Sequence, residues 1–554
     1  MLNYIKQILP ALLIILIVLG ACSNKQNEES LDSEESKEKQ KAVYLSAPGA
    51  IPSLSPTIAD NDFSFRVINQ VFEGLYRLDK EGKPELAIAA EEPEISEDNK
   101  VYTFKIRSDA KWSNGTPVTA HDFEYAWKKA VNPETGAAYG PQFEEIVANA
   151  SDILKGDMPA ESLGVEALDD HTLKVELENP VPFFKELLTT AIFFPQPKEF
   201  IEKQEGQYAS DSEHTLFNGP FVLDEWTGTD QSWTYKKNEQ YWDKEAVNVD
   251  EIRVNVVKDT GTAVSLYQEG KLDRVSLTGE FVDKFKNSED YHTILTGATS
   301  YIKMNQGKDG NQTNLANLNI RKALTMAIDK KRIVNSILNN GSIAANGNVP
   351  KGLTKNPVTG EDFRAENGNL THYAPENAKD HWEKGLKELG KEELEITLIS
   401  SDSGTSKLLA ENIKFQLEDT LPGLSLKIRN LTPKASIAAN VGQEFEMIMT
   451  GWNGDYHDPL TYLNLFITDS PGNHTGYSSE AYDRLVLGAK GSMANDPIKR
   501  WKAMLKAERM LIEESAVIIP LYQNGTAYLQ KDYLKNFVTY KVGADNYKWI
   551  NIKK

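Results

Sequence analysis

The chain has 554 residues, 40% of them hydrophobic and 26% charged, a globular composition that excludes a disordered or fibrous protein. Its 81 Asp and Glu outnumber 61 Lys and Arg, and the formal charge of −20 argues against nucleic acid as a partner, because phosphate binding needs a basic surface. A single cysteine, Cys22, excludes a disulfide framework and a cysteine-based structural zinc site.

Residues 1–21 read as a signal peptide. Lys6 supplies a positive start, and Ile8 to Leu19 is almost wholly apolar, shorter than the ~20 residues needed to span hydrocarbon. The run ends in Leu19-Gly20-Ala21-Cys22, which resembles a bacterial lipobox, so Cys22 is the expected lipidation site. Two or more acyl chains there would anchor the protein stably, where a single chain is marginal. Residues 22–42 are rich in Ser, Glu and Lys and nearly free of apolar side chains, the composition of a solvated, flexible tether.

From Val43 onward strand and helix patterns alternate, with no repeat of solenoid or propeller length. Tyr102, Phe104 and Ile106 alternate with polar residues and predict a half-buried strand, followed by a hairpin-type turn at Asn114-Gly115. Thr119, three residues before Asp122, predicts a capping-box start for a helix carrying Phe123, Trp127 and Ala130. Leu173, Val175 and Leu177 predict another strand. Ile320, Leu324, Ala327, Ile328, Val334, Ile337 and Leu338 follow helical spacing from Asn319, and Ile498, Trp501, Leu505 and Ile512 predict a late amphipathic helix. The chain reads as mixed α/β, with room for roughly two to four domains.

Catalytic signatures are missing. There is no H-E-x-x-H, no G-x-S-x-G and no P-loop, and none of the eight histidines is paired at metal-ligand spacing. His457 stands beside Asp458, but adjacent side chains on a loop usually point apart. No metal site and no cofactor is expected, and the chain reads as a non-enzyme.

The densest signal lies in VYTFKIRSDAKWSNGTPVTAHDFEYAWKKAVNP, residues 101–133. This stretch resembles the signature of the solute-binding proteins of peptide ABC importers, the oligopeptide-binding family. Further similar segments are SLSPTIADNDFSFRVINQVFEGLYRLDKEGKP, HTLKVELENPVPFFKELL, NIRKALTMAIDKKRIV, GWNGDYHDPLTYLNLF and VIIPLY, so the likeness spans the mature chain. It implies a bilobed α/β periplasmic-binding-protein-like fold of the cluster C type, with an extra domain and hinge crossings around a ligand cleft. Carried onto this sequence, the first lobe takes residues 43–72, 201–300 and 524–554. The extra domain takes 73–200 and the second lobe 301–523, with crossings near Ser300 and Asn524.

The same resemblance implies the site. Asp455 in Gly451-Trp452-Asn453-Gly454-Asp455-Tyr456 takes the carboxylate role that holds a peptide's ammonium. Trp452 and Asn453 on one side and Asp60, Asn61 and Asp62 on the other flank the ligand backbone, which would lie extended as an added strand. Tyr139 and Tyr301 are candidate cleft walls. Two departures stand out: Met449 replaces an arginine that helps fix the ligand's carboxylate, and the tyrosine of Pro520-Leu521-Tyr522 is shifted. Longer or variable peptides are therefore expected. The implied role is a monomeric receptor, lipid-anchored on the outer face of a Gram-positive cell membrane, that delivers oligopeptides to an ABC permease with a separate ATPase. A pheromone receptor and a nickel-chelate or haem carrier remain open alternatives on the same fold.

Overall fold

The computed structural model describes residues 42–553; the signal peptide, Cys22 and the tether up to residue 41 lie outside the described residues. Three sheets carry the architecture. In the first, Ala42–Ala47 runs parallel to Glu251–Val256, which pairs antiparallel with Ser232–Lys237, followed by Phe221–Asp224 at the edge. The second is antiparallel, in the order Glu94–Ile95, Val101–Lys105, Thr172–Glu176, Val165–Asp169. Its register sets Tyr102 opposite Val175 and Phe104 opposite Leu173, so the two alternating sequence patterns share one buried face.

The third sheet is the largest, in the order Arg274–Leu277, Ile518–Gln530, Tyr291–Met304, Met447–Trp452, Leu394–Ser401, Leu424–Leu431, with Ile343–Ala344 beside the second of these. Its two long members, Tyr291–Met304 and Ile518–Gln530, lie side by side and antiparallel. Their ladder is interrupted between Leu295 and Thr299. On one side of the break, Leu277 and Leu529 face a small core with Val264 and Tyr267. Beyond it, Ile302, Met304, Ile519 and Leu521 face a separate core with Leu324, Trp382 and Leu417. One sheet therefore feeds several cores: Tyr301 and Ile518 of the same two strands belong to the largest, with Val43, Phe104 and Leu460, and Ile399 and Ile448 belong to a fourth. Ser300 and Asn524, the expected crossing points, sit beside the interruption, and Ser300 Oγ donates to Asn524 Oδ1 at 2.9 Å. At Gly297, inside the gap, an added Cβ would come within 2.7 Å of Val542, so the close approach of the C-terminal chain needs the glycine.

Local signals act as expected at the helix Ala120–Val131, whose Asp122 carboxylate accepts the Thr119 N–H at 2.9 Å. Phe123, Trp127 and Ala130 are buried along it. The pattern starting at Asn319 does not give one helix. Leu318–Met326 stops, and Lys330–Ile333 restarts after Asp329, whose carboxylate accepts the Lys331 N–H at 3.0 Å and caps the second piece. The late helix Pro497–Arg509 buries Trp501 but leaves Ile498 exposed, because Ile498 lies in its first turn, off the inward stripe. No helix among the described residues is long and apolar enough to cross a membrane.

Candidate functional site

A cavity of about 520 Å³ opens where the helix Asp62–Val71, the segment 186–194, the strand end 451–457 and the chain at 540–548 converge. That volume is in the range of small-ligand sites, ~300–1,000 Å³. Each wall follows from a local sequence feature. Asn61 caps the helix Asp62–Val71, its side chain accepting the Ser64 N–H at 2.9 Å. The helical period then brings Phe65 and Asn69 onto one face, with Phe72 just beyond the helix end, all three on the cavity.

On the facing wall, the strand Met447–Trp452 pairs with Tyr291–Met304, setting Trp452 opposite Thr299, and then turns sharply. Gly454 makes the turn possible. Its N–H donates to the Tyr462 hydroxyl at 3.0 Å, and an added Cβ would stand 2.7 Å from that oxygen. Asp455 follows, in the cavity wall. Its N–H donates to Thr461 Oγ1 at 3.1 Å, and the Thr461 hydroxyl donates to Asp455 Oδ2 at 3.3 Å. No cation among the described residues forms an ion pair with it. Burial pushes its carboxyl up to about 6, only partly opposed by the Thr461 hydroxyl.

Tyr139 packs edge-on against Phe65, with ring centroids 4.9 Å apart, and lines the cavity beside Gln142. Burial raises the Tyr139 phenol, and the charges of Asp455, Asp62 and Asp60 raise it further, which gathers those acids around one ring. Gln142 Oε1 is buried and has no hydrogen-bond donor among the described residues.

Of the sequence-predicted residues, Asp455, Trp452, Asn453, Asp62 and Tyr139 line one cavity. Asp60 and Asn61 stand just outside its lining, hydrogen-bonded to one another at 2.9 Å, with Asn61 engaged as a helix cap. Tyr301 is elsewhere. It is 2% exposed, pairs with Thr450 in the large sheet, and meets Phe466 edge-on in the core. The resemblance made Tyr301 a candidate, but the alternation of its strand places it on an inward face instead.

With this geometry in view, the comparisons with known proteins converge. The model for bacterial extracellular solute-binding proteins, family 5 (middle), matches residues 83–474. The chain belongs to that family. This solute-binding protein is 35% identical over 477 residues to the dipeptide-binding protein of Lactococcus lactis subsp. cremoris, with 84% of each chain covered. Listeria monocytogenes OppA bound to peptide shares 43% identity and a TM-score of 0.78, over 93% of this chain and 99% of that one. The substrate-binding domain of an oligopeptide ABC transporter from Bacillus anthracis shares 38% identity and a TM-score of 0.78, over 93% and 99%. The solute-binding protein therefore has the OppA-like mixed α/β fold, in a family that binds rather than catalyses.

Sequence reasoning missed part of the wall. Phe183 stacks on Tyr456 with centroids 4.4 Å apart and planes 4° from parallel. Next to it, Glu186 Oε2 accepts the His457 N–H at 2.6 Å. Burial, reinforced by the neighbouring Asp458 charge, pushes Glu186 up to about 7. Burial, with Lys541 nearby, holds His457 down to about 4 and so neutral. Also missed is a charged network on the cavity wall. Arg77 donates to Glu73 Oε1 at 2.9 Å, to Glu85 at 2.6 Å and to Asp243 at 3.1 Å, while Lys548 pairs with Asp243. The signal for Phe183 and Glu186 was present as PVPFFKELL, but no periodicity says that it faces residues 456 and 457.

Proposed function

We propose that this chain captures peptides by their free amino terminus at Asp455 and delivers them to an ABC importer. The observation that carries the reading is the Asp455 carboxylate. It stands half-buried in the wall of a ligand-sized cavity and has no cationic partner among the described residues. A buried anion left unpaired is costly, and a ligand ammonium supplies the missing charge with a charge-assisted hydrogen bond. Trp452 and Asn453, at the end of a strand, offer main chain against which an extended ligand can pair. The ligands of similar proteins, a dipeptide for the Lactococcus protein and a peptide for the Listeria structure, support the same class.

The paired strands near Ser300 and Asn524, where the large sheet passes from one core to another, serve as the hinge between two lobes. The Phe183–Tyr456 stack and the Glu186–His457 hydrogen bond close the cleft next to the amine seat. Lipid on Cys22 and a flexible tether hold the receptor at the outer face of the membrane. The test compares peptides with free and N-acetylated amino termini by calorimetry. Asp455→Asn should weaken the free-amine peptide ~10- to 100-fold and leave the acetylated one little changed, the loss of one charge-assisted bond. Equal losses for both would overturn the amine role.

A further inference from the structure

Two half-buried carboxylates on the cavity wall have no ion pair with a charged group among the described residues, and only one is used by an amino terminus. The second is Glu186, on the short helix Phe184–Leu187. Its Oε2 takes the His457 N–H, while Oε1 accepts no hydrogen bond among the described residues. Every cation nearby is committed or uncharged. The His457 ring is 3.9 Å away and neutral. Arg500, whose charge favours the Glu186 carboxylate only in part, gives both terminal nitrogens to Asp458, at 2.7 and 2.9 Å. Lys541 donates to the Gly352 carbonyl at 3.1 Å.

The other acids of the cavity contrast with it. Glu73 receives donors from Arg77, Tyr241 and Trp242, and Asp62 pairs with Arg66 at 3.0 Å. A closed, ligand-filled cleft would keep Glu186 as a neutral acid unless the ligand brings a positive charge that favours its carboxylate. The two carboxylates have separate partners, the Thr461 hydroxyl for Asp455 and the His457 N–H for Glu186.

We propose that Glu186 seats a second ligand cation, the ammonium or guanidinium of a lysine or arginine side chain near the peptide's amino end. The chain is thus a receptor with a preference for peptides that are basic close to their first residue. This rests on the reading of Asp455 as the amine seat, which sets the ligand's direction. Gln142, whose buried Oε1 lacks a donor, gives such a side chain a further acceptor on the cavity wall.

The experiment uses short alanine peptides of matched length, each carrying one lysine or its uncharged isostere norleucine at successive positions, in free-amine and acetylated forms. Calorimetry with the full mature protein should show one early position where lysine binds ~10-fold or more tighter than norleucine. In Glu186→Gln the advantage of lysine over norleucine should vanish. No lysine preference at any position overturns the proposal, as does a preference that survives in Glu186→Gln. Equal loss of lysine and norleucine peptides in the variant also overturns it, leaving Glu186 as a closing contact only. If acetylation changes nothing yet the lysine preference still depends on Glu186, the amine seat fails and the side-chain seat stands.

Discussion

Glu73 and Asp455 are both carboxylates on the wall of one cavity, the first buried and the second half-buried, yet their charge surroundings are opposite. Glu73 is 4% exposed and saturated by the Arg77 guanidinium, the Tyr241 hydroxyl and the Trp242 indole. Asp455 has one threonine hydroxyl. A carboxylate fully compensated by its own chain has nothing left to offer a ligand, and its removal strands the groups around it. One that is undercompensated weakens the empty protein and gains when a cation arrives. Charge pairing, rather than position in the cavity, separates scaffold acids from binding acids here, and Glu186 falls with Asp455.

The largest expected effect tests that division through stability. Glu73→Gln leaves the Arg77 guanidinium short of its buried partner and should cost ~3–5 kcal/mol in chemical denaturation, the range for breaking a buried pair from one side. Asp455→Asn should cost the fold nothing at neutral pH. If the two variants lose equal stability, the comparison breaks.

The pH dependence sharpens it. The folded, empty protein holds the Asp455 proton up to about 6, against an ordinary value of 3.8, and the Glu186 proton up to about 7, against 4.5. Between the ordinary and raised values the folded state binds protons that the unfolded chain has released. The stability these groups contribute is therefore fully present below the ordinary carboxylate range and is lost as pH rises through about 6 and about 7. Urea titrations across this window should show stability falling with pH, and Asp455→Asn should flatten the lower part of the slope. An unchanged slope would mean that Asp455 is compensated after all.

The smallest effect concerns closure. Phe183→Leu removes the stack on Tyr456 but keeps both binding carboxylates. It should weaken free-amine and acetylated peptides alike by ~0.5–1.5 kcal/mol, the worth of an aromatic pair. A loss confined to free-amine peptides would place Phe183 in the amine seat instead.

Much of the local structure was legible in the sequence. The alternation of Tyr102 with Phe104 and of Leu173 with Val175, and the Thr119–Asp122 cap, report interactions between residues close in sequence or on one face, and these recur in the fold. The helix pattern from Asn319 misled at Asp329, where a side-chain cap competes with the backbone and apolar spacing cannot register it. The site was legible mainly as a resemblance. Asp455, Trp452, Asn453, Asp62 and Tyr139 were named from motifs, and they share one cavity, while Tyr301 was named from the same kind of signal and lies in the core.

The sequence by itself determined the strands, the caps and the short motif that makes Asp455 conspicuous, because those depend on neighbours within a few positions. Only the tertiary structure decided which carboxylates are satisfied. Glu73 is compensated by residues 4, 168 and 169 positions along the chain, and Glu186 meets a backbone N–H 271 positions away. Electrostatic compensation is set by proximity in space, and no local pattern in a chain carries it.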